Sequence, residues 1–171
     1  SVLIHAGASG VGTAAIQLAK QAKASVLVTA SAGKHDFCLQ LGADYAIDYQ
    51  SINFETALLE KTAGKGVNVV IDFIGAPYMQ QNLNVLQTDG RLVILALMGG
   101  AKVNELMIGN ILRKRLQILG STLRARSLDY KIALTRDFRL AAWDAFEKGT
   151  LKPVVDKIFD WKDVAEAHRY M

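Results

Sequence analysis

Residues 1–20 read SVLIHAGASGVGTAAIQLAK, and the architecture turns on them. Val2, Leu3 and Ile4, with His5, make a short apolar run of strand length. They lead into Gly7-Ala8-Ser9-Gly10-Val11-Gly12, and a helical pattern starts at once. Such a turn suits a pyrophosphate, because a helix N-terminus presents free N–H groups and a positive partial charge. Side chains there would hold the phosphates away. Gly7 permits the tight turn, Gly10 removes a Cβ near the phosphates, and Gly12 lets the helix pack closely on the sheet. Read as G-x-G-x-x-G, the middle position is Ser9, and the strand before and helix after supply the context the motif demands. No Gly-Lys-Ser/Thr closes the turn, which excludes a P-loop.

Outward from this turn, strand-like and helix-like segments alternate. In the first helix Val11, Ala14, Ala15, Leu18, Ala19 and Ala22 are assigned to one apolar face. Valine-rich residues 25–30 predict a second strand, and residues 33–41 a second helix that Gly42 ends in the left-handed conformation. Residues 45–48 form a third strand, and Asn53 caps a third helix through Thr62. Residues 67–73 are apolar enough on both faces for a central parallel strand. Residues 78–86 predict helix, 91–97 strand, 105–115 helix and 116–122 a sixth strand. A long amphipathic helix lies within 128–148, with Ile132, Phe138, Ala142 and Phe146 available for packing. Pro153 breaks the chain after it, 154–159 is expected as a further strand, and Asp160 caps a helix running to the chain end. This alternation describes one α/β domain over residues 1–171, a doubly wound, parallel six-stranded Rossmann sheet of order 3-2-1-4-5-6. Its ligand crevice belongs at the carboxyl ends of strands one and four.

Composition narrows the class. Hydrophobic residues at 51% against 21% charged describe a globular chain, and no apolar run approaches the ~18 residues of a membrane span. The lone Cys38 rules out an internal disulfide and any Cys-rich metal site within this chain. With no secretory signal visible, the expected setting is the cytoplasm. The net charge of +4 is partly local, in Arg113, Lys114, Arg115, Arg124 and Arg126. No aromatics interleave with these charges, so they read as a solvated face rather than a nucleic-acid surface.

The end of the second strand bears on the dinucleotide. An acid there accepts hydrogen bonds from the ribose hydroxyls but repels a 2′-phosphate. This chain has Thr29-Ala30-Ser31-Ala32-Gly33-Lys34 instead, a hydroxyl and a cation with no acid, which favours NADP over NAD. Asp36 lies beyond the turn, facing solvent. Several other polar residues read as structural. Asp72, ending a buried strand, is expected to bond nearby backbone, and His5 to be structural. Cys38 is expected to be buried and inert, and His35 and His168 to lie on helix surfaces.

Together the blocks SVLIHAGASGVGTAAIQLAK, VTAS…K…LGADYAIDY, GVNVVIDFIGAPY, GRLVILALMGG and LRKRLQILGSTLRARS resemble the zeta-crystallin-like quinone oxidoreductases of the medium-chain dehydrogenase/reductase superfamily. The resemblance runs through essentially the whole chain. It implies a Rossmann cofactor domain joined to a GroES-like catalytic domain, and zinc-independent, NADPH-dependent reduction of quinones, enones or related electron-poor double bonds. By matching position, Ser9, Gly10, Val11 and Gly12 would hold the pyrophosphate, and Ser31, Lys34 and Tyr49 would surround the 2′-phosphate. Phe73, Ile74 and Gly75 would lie near the adenosine ribose, and Leu97, Met98 and Gly99 near the nicotinamide. It also implies a homodimer through the sixth strand. The family's catalytic domain precedes this region and a returning segment follows it, so the chain is expected to be an excised cofactor half. No catalytic residue is assigned within it, and it is expected to bind NADPH with little quinone turnover. A free-standing NAD(P)-binding sensor or interaction module without catalysis is the alternative.

Overall fold

The computed structural model describes residues 1–170. Six parallel strands form one sheet in the order β3-β2-β1-β4-β5-β6, as expected. They are β1 (Val2–Ile4), β2 (Val26–Ala30), β3 (Tyr45–Asp48), β4 (Val67–Asp72), β5 (Leu86–Ile94) and β6 (Gln117–Gly120). Val2 of β1 stands opposite Val26 on one side and Val69 on the other, so the strand order reverses at β1. That reversal opens a crevice at the carboxyl ends of β1 and β4.

Period-two alternation sends successive residues of each strand to opposite faces. Leu3, Leu27 and Val70 meet Phe54 and Leu58 of α3 (Phe54–Lys61) and Leu83 of α4 (Met79–Val85). On the other face Val2, Ile4, Val26 and Val28 meet Ile16 of α1 (Gly10–Gln21) and Cys38 of α2 (His35–Gln40). Asn53 caps α3, accepting from the amides of Glu55 and Thr56. No helix among the described residues is long and apolar enough to cross a membrane.

The structure departs from expectation in five places. The buried residues of α1 are Gly12, Thr13 and Ile16, whereas Val11, Ala14, Leu18 and Ala22 are exposed. Close backbone contact at Gly12 sets the helix rotation, and Ile16, one turn on, follows it inward. The fifth strand begins at Leu86 and ends at Ile94; Leu95, Met98 and Gly99 then donate to carbonyls of Asp72, Phe73 and Ile74 outside the ladder. The helix expected over 105–115 shrinks to α5 (Gly109–Arg113), since the Met107 amide is taken by the Gln80 side chain at 2.8 Å.

Residues 154–159 form no strand: the segment is anchored by the Gln17 side chain on Lys152 rather than by a neighbouring strand. Finally, α6 (Leu128–Glu147) packs through Ala142, while Ile132, Phe138 and Phe146 stay exposed. Gly149, with φ +68°, stops that helix ahead of Pro153. Asp160 caps a 3-10 turn that continues into α7 (Val164–Tyr170), and residue 171 of the expected last helix lies outside the described residues.

Candidate functional site

A crevice of about 370 Å³ opens where β1, β2 and β4 end. Ala6, Ala8 and Ser9 line it from the glycine turn, and Thr29, Ala30, Ser31 and Lys34 from the end of β2. Tyr49, Ile74, Tyr78 and Met98 complete the wall. A second hollow of about 590 Å³ adjoins it, sharing Ala8 and Lys34 and adding Gly10, Thr13, Phe37, Val154, Val155 and Asp156.

The glycine turn is built differently at each glycine. Ala6, with φ 49°, adopts the left-handed conformation that makes the turn, and Gly7 does not. Gly7 is required by β2 instead: a Cβ there would lie 2.7 Å from Val28 Cβ. A Cβ on Gly12 would strike the carbonyl oxygens of Ala6 and Gly7, which fixes α1 close against the turn. Above Gly10, by contrast, a Cβ would meet nothing within 4 Å. Ser9 caps α1, its Oγ accepting the Gly12 amide at 3.0 Å while its own proton stays free to donate. Among the described residues the amides of Ala8, Gly10 and Val11 have no protein acceptor. Open space, free donors and a helix N-terminus together fit a dinucleotide pyrophosphate.

At the end of β2, Ser31 precedes a 3-10 turn (Ala32–Lys34), and its hydroxyl makes no capping bond. Lys34 is exposed at the crevice edge, and Asp36 faces solvent as expected. Asp48 stands beside Ala30 at the end of β3. Its carboxylate is engaged by the Ser51 hydroxyl at 2.7 Å, which holds it below the usual carboxylate range. No acid therefore reaches into the crevice from β2.

Past β4 the expected residues separate. Ile74 lines the crevice, but Phe73 is buried in the core cluster against α1 and α2. Gly75, with φ +87°, admits the 97–100 segment: a Cβ would lie 2.7 Å from both Gly100 O and Leu97 Cδ2. Gly99 is similarly close to Ile74 and Pro77. Met98 reaches the crevice and is 80% exposed, whereas Leu97 and Val11 hold their side chains outside it. Sequence reasoning missed Thr29 and Tyr78. Tyr78 packs on His5 and Phe54 with ring centroids 4.8 Å apart in each pair, and burial pushes its phenol up. The only sequence signal for it was Pro77, which starts a 3-10 turn there. Asp72 bonds the amides of Ile74 and Gly75, as expected of a strand-ending acid. Cys38 is buried, with its thiol pushed up by that burial. His168 is exposed, while His35 is half-buried with its ring on Ala30 O at 3.2 Å.

The zinc-binding dehydrogenase family matches residues 10–137, and the chain belongs to that family, within the medium-chain dehydrogenase/reductase superfamily, as a quinone oxidoreductase-like cofactor-binding portion. It is 27% identical to human quinone oxidoreductase over 98% of its own length and 49% of that protein's. A solved CurK enoyl reductase matches 99% of this chain and 50% of its own at a TM-score of 0.78 and 30% identity. Escherichia coli quinone oxidoreductase complexed with NADPH matches 91% of this chain and 47% of its own, with a TM-score of 0.76 and 29% identity. The chain thus spans about half the length of these relatives. Despite the family's name, no group of three or more His, Cys, Asp or Glu among the described residues is placed to hold a metal ion.

Proposed function

We propose that the crevice binds NADP(H), and that the chain is the cofactor domain of an oxidoreductase transferring hydride to a quinone or a related activated double bond. The observation that carries this reading is the end of β2, where Ser31 offers a free hydroxyl and Lys34 a cation, with no acid to repel a 2′-phosphate. The relative solved with NADPH supports it.

In this reading the amides of Ala8, Gly10 and Val11, with the Ser9 hydroxyl, hold the pyrophosphate. Ser31, Lys34 and Tyr49 take the 2′-phosphate, Ile74 and Gly75 border the ribose, and Met98 and Gly99 border the nicotinamide. Phe73 supports the site from the core, and Leu97 by covering Gly75. When bound, the nicotinamide supplies the hydride, and the protein's part is to orient it and keep water away. The highly exposed Met98 leaves the nicotinamide end open to water, so residues 1–171 alone bind cofactor with little quinone turnover. All four residues of the edge strand β6 are exposed, and a homodimer forms by pairing along that edge. Isothermal titration with NADPH and NADH tests the reading: NADPH binds the tighter of the two, and tighter NADH overturns it.

A further inference from the structure

Five polar residues are buried in the domain: His5, Thr13, Thr29, Asp72 and Asn82. Four of them, all but Thr13, form a single chain of hydrogen bonds whose direction the chemistry fixes. The Asp72 carboxylate receives the Ile74 amide at 2.7 Å, the Gly75 amide at 3.2 Å and Asn82 Nδ2 at 3.1 Å. A carboxylate so placed can only accept, which turns the Asn82 nitrogen toward it. Asn82 Oδ1 then faces His5 Nε2 at 2.8 Å and must accept, so the imidazole carries its proton on Nε2. The bare Nδ1 accepts from the Thr29 hydroxyl at 3.0 Å, and Thr29 Oγ1 in turn accepts the Ala6 amide at 3.3 Å. Burial pushes the imidazole pKa down, consistent with that neutral form. Among the described residues no buried side-chain polar atom lacks a partner.

The ends of this chain lie in two different turns beside the crevice, one after β1 and one after β4. At one end is Ala6, the left-handed residue of the glycine turn, and at the other are Ile74 and the positive-φ Gly75. Neither turn is held by a regular strand or helix at that point. We infer that His5 and Asn82 are positioning residues, which set the spacing between the glycine turn and the Ile74–Gly75 turn and so preorganise the crevice for its ligand. This rests on the reading of the crevice as a dinucleotide site. The physical logic is that of an outer shell: a fully satisfied buried network has one geometry, and it transmits that geometry to the groups it orients.

Asn82→Leu tests this, because Asn82 does not line the crevice and leucine keeps its bulk. Leu83→Ala, one residue on and fully buried in the apolar cluster, is the control for lost stability without a broken network. In the ligand-free chain, Asn82→Leu speeds hydrogen exchange at the amides of Ala6, Ile74 and Gly75, and Leu83→Ala does not. It also raises the NADPH Kd roughly tenfold, whereas Leu83→Ala lowers the melting temperature at least as much with the Kd unchanged. Equal effects of the two variants, or unchanged exchange at those three amides, overturn the inference. Should Asn82→Leu not fold, 15N NMR of wild-type His5 decides: a proton on Nε2 alone supports the network, and one on Nδ1 overturns it. A wild-type chain that binds no nicotinamide nucleotide fails the proposed function, while the exchange data still judge the network.

Discussion

Gly7 and Val28 stand back to back: a Cβ on Gly7 would lie 2.7 Å from the Cβ of Val28. Three positions along, the same addition at Gly10 would meet nothing within 4 Å. The sheet therefore demands a glycine at position 7, whereas at position 10 only a bound ligand would. Gly7→Ala is expected to destabilise the domain by about 1–3 kcal/mol through overpacking, read from denaturant midpoints. Gly10→Ala leaves stability within about 0.5 kcal/mol, since the position is helical and unobstructed. Its methyl group nevertheless occupies the space assigned to phosphate, and NADPH affinity falls at least about tenfold. Equal stability loss at both positions would contradict the assignment.

In the proposed complex, Ser31 and Lys34 are the residues that would separate the two cofactors. Lys34→Ala is expected to weaken NADPH roughly five- to tenfold and to leave NADH unchanged, because an exposed lysine acts on the 2′-phosphate as a point charge. Ser31→Asp should reverse the preference, placing an acid where ribose hydroxyls would meet it. Parallel fluorescence titrations of the two nucleotides measure both effects. Matching losses for NADPH and NADH would remove these residues from the 2′-phosphate site.

Burial lowers the pKa of His5 in the folded state below its ordinary 6.5, against the opposing pulls of Asn82 and Asp72. As pH falls past 6.5 the unfolded chain takes up a proton that the folded chain refuses, so stability declines through that window and levels off below the folded pKa. Asp72 and the Tyr78 ring are the titratable groups that face His5. Asp48, held low by Ser51, and Asp89, held low by Arg115, lose their contributions only below the ordinary 3.8 of a carboxylate. Urea unfolding from pH 8 to pH 5 should show the decline in the wild type, and His5→Gln should flatten it. A flat wild-type profile would show that His5 titrates alike folded and unfolded.

Cys38 is fully buried with its thiol pushed up by that burial, so it is expected to pack in the core and to react slowly. A disulfide reagent should label it only as fast as the domain opens, and at once in denaturant. Rapid labelling of the native chain would place it on the surface.

Much of this molecule was legible in its sequence, for reasons that particular residues make clear. The order of the sheet followed from apolar strands such as Val67–Asp72 alternating with helices, since a parallel sheet permits few other windings. That Ser31 and Lys34 stand beside the crevice was readable, because their place follows from where β2 ends. What stayed hidden depends on contacts remote in sequence. The burial of Ile16 in place of Leu18 follows from Gly12 meeting the Ala6 and Gly7 carbonyls, which periodicity does not encode. The true reason for Gly7 lies in Val28, and His5 meets Asn82 across 77 positions. Residues 154–159 carry strand-forming valines, but the Gln17 carboxamide, bonded to both Lys152 N and Lys152 O, holds the chain there without a ladder.

In the proposed complex a dinucleotide lies across the carboxyl ends of β1 and β2 with its 2′-phosphate at Ser31. Amide chemical shifts of the 15N-labelled chain, titrated with NADPH, report on that placement residue by residue. The largest changes are expected on Ala8, Gly10, Val11 and Ser31, and NADH is expected to move the first three but not Ser31. Saturating NADPH that leaves these four amides in place would contradict it.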